Sequence, residues 1–200
     1  MFILNIYDQF EESDIQFLEY CKKDFRKLKA GEDYDCIITP GNAFGIMDGG
    51  FDKVVLEKYP LAQEIVQRTI KNFYGSECPV GASVLVKLSH KVSLVYAVTM
   101  RFPGPVAAKD IAYTAALSAF SAIESYNKAM PENVRIKNVT MPLLATTTGG
   151  YPPVKSAQQI LLALSRVGKI PPKDWNSVEL ADFRKALENS TDFTNAYTGK

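Results

Sequence analysis

Two glycine-bearing loops, each lying between an apolar strand and a helix-forming segment, constrain this chain more than any other feature. The first is Cys36-Ile37-Ile38-Thr39-Pro40-Gly41-Asn42-Ala43-Phe44-Gly45-Ile46-Met47-Asp48-Gly49-Gly50-Phe51-Asp52, with four glycines, one asparagine and two aspartates. The second is Leu144-Ala145-Thr146-Thr147-Thr148-Gly149-Gly150-Tyr151-Pro152-Pro153. Glycine removes the Cβ and permits positive φ, so the backbone can approach a ligand closely; free N–H groups and the next helix's N-terminus supply positive potential. Two such loops at strand ends imply a phosphorylated ligand, with a diphosphate gripped from both sides. The first loop lacks the Gly-Lys-Ser/Thr ending of a nucleotide-hydrolysing P-loop, and its spacing is not that of a dinucleotide fingerprint.

The elements around the loops fit a layered α/β domain. Residues 2–7 read as a first strand. Glu11 to Leu28 carries Ile15, Leu18, Phe25 and Leu28 at helical spacing, with Ser13 as N-cap, which predicts a helix ending at Gly31. Tyr34 to Thr39 reads as a central strand, and Phe51 to Phe73 as an amphipathic helix interrupted at Pro60. Val84–Leu88 and Val92–Val98, separated only by Ser89-His90-Lys91, predict an antiparallel hairpin. An Ala- and aromatic-rich helix over Ala107–Asn127, a strand over Val134–Leu144 and a helix over Ser156–Val167 follow. Beyond Pro171-Pro172 the pattern weakens to one short helix, Val178–Leu187, with Trp175 as a docking anchor, and a polar, frayed tail. The expectation is a mixed, mostly parallel central sheet between two helical layers, with residues 1–168 as the ligand-binding domain and 169–200 as a C-terminal extension. Ligands bind such sheets outside the carboxyl ends of parallel strands, where both loops sit.

Composition excludes several classes. At 200 residues and 46% apolar content the chain can bury a two- or three-layer core, and a formal charge of +1 counts against a strongly electrostatic nucleic-acid binder. The N-terminus lacks a basic region and cleavage site, and no apolar run is long enough to cross a membrane. Cys21, Cys36 and Cys78 have no metal-ligand spacing; an odd count without a secretion signal fits free thiols in cytosol or nucleus. Neither a metal nor a cofactor is expected. His90, the sole histidine, falls in the hairpin turn and disfavours schemes built on a histidine base.

Taken together, these residues resemble macrodomains, which bind ADP-ribose. Asp35-Cys36-Ile37-Ile38-Thr39-Pro40-Gly41-Asn42-Ala43 resembles the family's strand and asparagine loop, and Met47-Asp48-Gly49-Gly50-Phe51-Asp52 the glycine-rich end of that loop. Tyr96-Ala97-Val98-Thr99-Met100 resembles a further strand signature, and Thr146-Thr147-Thr148-Gly149-Gly150-Tyr151-Pro152 the second, phosphate-embracing loop. The wording, with Thr99-Met100-Arg101-Phe102-Pro103, is similar to a less-studied microbial and fungal branch.

The resemblance implies a three-layer α/β/α fold. Its pocket would bury adenine beside the first strand, hold the diphosphate between the loops and present the distal ribose to Asn42 and Gly49-Gly50. It implies ligand contacts at Gly41, Asn42, Ala43, Phe44, Gly49, Gly50, Thr146, Thr147, Thr148, Gly149, Gly150 and Tyr151. The family's Gly-Asp-Ile-Thr after the first strand is replaced here, leaving Asp8 for the adenine-reading aspartate; Asp48 stands where many relatives have glycine. Asp52 matches the acidic position that helps activate water in the hydrolytic branch. The leading expectation is hydrolysis of an ADP-ribosyl linkage, or of ADP-ribose 1″-phosphate, with Asn42 orienting the ribose and Asp52 or Asp48 handling the water. Asp52 also reads as a first-turn carboxylate favoured by the helix dipole, and Asn42 as a turn former. The alternative function is a non-catalytic reader of ADP-ribose or ADP-ribosylated protein. A nucleic-acid module taking an adenine nucleotide end is a third class, and the chain is expected to be a monomer.

Overall fold

A computed structural model describes residues 2–5, 18–107, 109–167 and Arg184, with backbone only for 2–5 and 18–20. Six strands form one sheet: β1 (Phe2–Asn5), β2 (Leu18–Tyr20), β3 (Cys36–Asn42), β4 (Ser83–Lys87), β5 (Ser93–Met100) and β6 (Asn138–Met141), in the order β2-β1-β6-β3-β5-β4. The three central strands, β6, β3 and β5, are parallel, whereas β4 pairs antiparallel with β5 and β1 antiparallel with both β6 and β2. The helices are α1 (Gly50–Lys58), α2 (Ala62–Tyr74), α3 (Ile111–Ala129) and α4 (Pro153–Leu164).

Alternation along the central strands sorts their side chains between two cores. Cys36, Ile38, Val95 and Ala97 pack with α3 and α4; Ile37, Leu94, Tyr96 and Val98 pack with Val55 of α1 and Val66 and Ile70 of α2. Burial on both faces explains why these strands read as continuous apolar runs. The buried alanines Ala112, Ala115, Ala116 and Ala119 give α3 a small-residue face toward the sheet. The first helical stretch breaks around Pro60, as its missing N–H and ring require, and the hairpin of β4 and β5 forms as its short connection predicts.

One expectation is corrected. The described part of the predicted Glu11–Leu28 helix is instead strand β2 followed by a 3₁₀ turn over Phe25–Lys27, capped by the Asp24 carboxylate accepting from the Arg26 N–H. Phe25 and Leu28 are indeed buried together, but a three-residue spacing is met by one 3₁₀ turn as well as by an α-helix. The strand predicted over 134–144 shortens to β6, Val134 belonging to a 3₁₀ turn before it and Leu144 to a turn after it. Ser13, Trp175, the Val178–Leu187 helix as a unit and the 169–200 extension lie outside the described residues.

Candidate active-site cleft

Strands β3 and β6 pair only over Cys36–Ile37 with Val139–Thr140 and then diverge. The chain leaving β3 enters α1 on one face of the sheet, and the chain leaving β6 enters α4 on the other. This is a topological switch point, and the crevice between two such strands is where open α/β sheets bind ligands. Pro40 sits at the fork: β5 pairs with it, but β6 no longer does, so a residue without an N–H is tolerated in a central strand.

The first loop is held in shape by groups that local sequence does not reveal. At Gly41/Asn42 the register with β5 slips by one residue, Asn42 lying opposite Met100. The Tyr96 phenol fills this bulge, accepting from the Asn42 N–H at 2.9 Å and donating to the Asn42 carbonyl at 3.1 Å. A Cβ on Gly41 would lie 2.1 Å from that phenol oxygen, so only glycine fits. The Asn42 side chain then shapes the turn: its Oδ1 accepts from the N–H groups of Phe44 (3.0 Å) and Ile46 (3.3 Å), and its Nδ2 donates to the Ile46 carbonyl (2.7 Å). Helix α2 anchors the next stretch, Gln63 Oε1 accepting from the Met47 N–H and Gln67 Nε2 donating to the Phe44 carbonyl. Asp48, Gly49 and Gly50 then emerge exposed, and α1 begins with no side-chain cap on its N-terminus. First-turn N–H groups without such a cap are free to meet an anion.

Asp52 occupies that first turn with its side chain turned inward. It is 6% exposed, and the Thr39 hydroxyl donates to its Oδ1 at 2.5 Å. Burial pushes its carboxyl up to about 8; the Thr39 hydrogen bond opposes this and the nearby charge of Asp48 adds to it.

The second loop approaches from the other side. Ala145 adopts φ 61°, the one left-handed non-glycine among the described residues, and its carbonyl accepts from the Tyr151 N–H at 2.9 Å. A Cβ on Gly149 would lie 2.4 Å from that carbonyl oxygen, so this tight turn demands glycine. The loops nearly meet, since a Cβ on Gly50 would come within 3.4 Å of Thr147 Oγ1.

Of the expected site residues, Gly41, Asn42, Asp48, Gly49, Gly50 and Asp52 line one cleft with Thr147, Thr148 and Gly149. The others lie elsewhere. Ala43 is buried behind the loop, its carbonyl accepting from the Cys78 N–H, and Phe44 packs against Phe102 at 5.4 Å. Thr146 donates to the Leu143 carbonyl, and Gly150, exposed, closes a turn onto the Thr147 carbonyl. Tyr151 is buried, its phenol donating to the Lys109 carbonyl and accepting from Gln159. Asp8 lies outside the described residues; Asn5, the end of β1, pairs with Asn138 at the edge of the sheet opposite the two loops. Arg101 pairs with Glu77 at 2.8 Å, and Cys78 is fully buried. Among the described residues no group of His, Cys, Asp and Glu is placed to hold a metal, and no helix is long and apolar enough to cross a membrane.

Residues outside the expected set also line the cleft: Pro40, Ile46, Phe51, Thr99, Met100, Pro103 and Ala145. Tyr96 and Thr39 act from beneath it. A tyrosine amid the aliphatic residues of β5 was the available signal, since a buried phenol needs a partner.

No family model matches the sequence, and no curated protein matches it. Solved structures do. The macrodomain of Mycobacterium tuberculosis DarG superposes with a TM-score of 0.59 at 16% identity, over 74% of this chain and 89% of that one. The chain has the macrodomain fold. The macrodomain of Thermus aquaticus DarG gives 0.56 at 12% identity, over 74% and 90%. A mutant of the Oceanobacillus iheyensis macrodomain, solved with ADPR, gives 0.54 at 14% identity, over 79% and 87%. Macrodomain architecture thus accounts for the sheet, the two helical layers and the position of both loops at the carboxyl edge of the parallel strands.

Proposed function

We propose that this macrodomain-fold chain binds ADP-ribose or an ADP-ribosyl group in the cleft and hydrolyses the bond at the distal ribose. The observation that carries the reading is the convergence of the two glycine loops on one cleft floored by the buried Asp52 carboxyl. Among the described residues no lysine, arginine or histidine lines the cleft. The diphosphate would therefore be held by backbone N–H groups of the second loop and the uncapped N-terminus of α1, the kind of fixed donors that cost no reorganisation on binding. The distal ribose would lie against Asn42 and Gly49-Gly50. Similarity in fold to a macrodomain solved with ADPR supports the choice of ligand.

In the reaction, water adds to C1″ while the bond from C1″ to its acceptor breaks. Asp52 in its ionised form takes the proton of the attacking water, and the acceptor leaves with a proton from solvent. Thr39 holds the Asp52 carboxyl in one orientation, and Asp48 stands at the exposed rim beside the ribose. Asp52→Ala should spare ADP-ribose binding and abolish product release from an ADP-ribosylated protein. If that variant turns over like the wild type, the role assigned to Asp52 is wrong.

A non-catalytic reader is favoured by one observation. The Asn42 side chain already makes three hydrogen bonds within its own loop, leaving a single amide N–H for a ligand. Wild-type binding without turnover across the pH range would select that reading.

A further inference from the structure

Asp48 stands alone among the charges of the cleft rim. It is exposed, lines the cleft and directly precedes the glycine pair, and among the described residues no hydrogen bond or ion pair engages its side chain. Among the described residues the other charged side chain lining the cleft is Asp52, and no cation lines it to offset either. The field of Asp48 reaches inward, acting on both the Asp52 carboxyl and the Tyr96 phenol. A diphosphate can draw on the α1 N-terminus and the second loop, but a group attached at C1″ of the distal ribose would meet the carboxylate where no cation among the described residues lines the cleft.

We infer that Asp48 sets the substrate class of this site: it admits ADP-ribosyl groups whose 1″ substituent carries no negative charge and rejects the 1″-phosphate. The inference rests on the proposed placement of the distal ribose beside Asn42 and Gly49-Gly50. It separates the two substrates that placement leaves open, an ADP-ribosylated side chain and a phosphate monoester. Like-charge juxtaposition is a recognised means of excluding a wrong ligand, and it weakens with salt because the carboxylate is exposed.

The test is calorimetric titration of the full chain with ADP-ribose and with ADP-ribose 1″-phosphate, at low salt. The wild type should bind ADP-ribose at least about tenfold more tightly than the phosphate. Asp48→Asn should shrink that ratio at least about threefold and Asp48→Glu should keep it, since only the charge is at issue. Asp48 is exposed and makes no hydrogen bond or ion pair among the described residues, so neither variant should melt below the wild type. Equal binding of the two ligands by the wild type would overturn the inference while leaving ADP-ribose binding intact. A preference that survives Asp48→Asn unchanged would overturn the role of Asp48. Failure of the wild type to bind ADP-ribose at all would remove the proposed function and this inference with it.

Discussion

Replacing Asp52 with asparagine should make the folded chain more stable at neutral pH, by a margin that grows as pH rises toward 8. Burial raises the folded-state carboxyl from its ordinary 3.8 to about 8. Below 3.8 the folded and unfolded chains both hold the proton, and the carboxyl costs nothing. Between 3.8 and about 8 the folded chain keeps a proton that the unfolded chain has released, so stability falls by about 1.4 kcal/mol per pH unit. Above about 8 both states are ionised and the loss is complete. At pH 7, roughly three units above the unfolded value, the carboxyl costs the fold about 4 kcal/mol relative to a group that cannot ionise. Asparagine retains an oxygen for the Thr39 hydroxyl but buries an amide that needs its own partners, a cost of about 1–3 kcal/mol. The net gain at pH 7 should be about 2 kcal/mol. Urea denaturation of both proteins at half-unit steps from pH 4 to 9 measures it. The difference should grow from pH 4 and level off above 8. A difference that does not change with pH, or a variant less stable throughout, would mean that the carboxylate is favourably held and the burial argument is wrong.

Tyr96→Phe leaves the buried N–H and carbonyl of Asn42 without the phenol that bridges them, so stability should fall by about 1–3 kcal/mol. ADP-ribose affinity should fall with it; unchanged affinity would show that the bulge does not position the loop. Ala145→Gly removes the only left-handed non-glycine among the described residues and should be neutral to stabilising by up to about 1 kcal/mol, read from the urea midpoint. Turnover of an ADP-ribosylated protein should rise with pH and level off above about 8, because Asp52 accepts a proton only when ionised. A rate that falls over the same interval would make the carboxyl a proton donor instead.

What the sequence made legible was local. The hairpin followed from a three-residue connection, the helix break from Pro60, and the cleft from glycine runs at two strand ends, each a short-range steric or closure argument. The failures were long-range or degenerate. Phe25 and Leu28 have a spacing that a single 3₁₀ turn satisfies as well as a helix does. The place of β1 depends on pairing with β6, more than a hundred positions away, and no local pattern fixes strand order or direction. The burial of Tyr151 was likewise invisible locally, because its partners Lys109 and Gln159 come from distant segments. Thr39 was visible only as a strand residue; that its hydroxyl meets Asp52 depends on how α1 docks over the strand end. Gly41 shows the same limit, since its necessity comes from a tyrosine 55 positions away.

The most direct test of the account is calorimetric titration of the full chain with ADP-ribose, with AMP as control. Binding in the micromolar range or tighter, with AMP clearly weaker, is the predicted result, because the proposed function puts a diphosphate and a second ribose between the loops. Absence of heat at two temperatures, together with no shift in melting temperature, would contradict it: the fold would then be a macrodomain's and the cleft would serve another ligand.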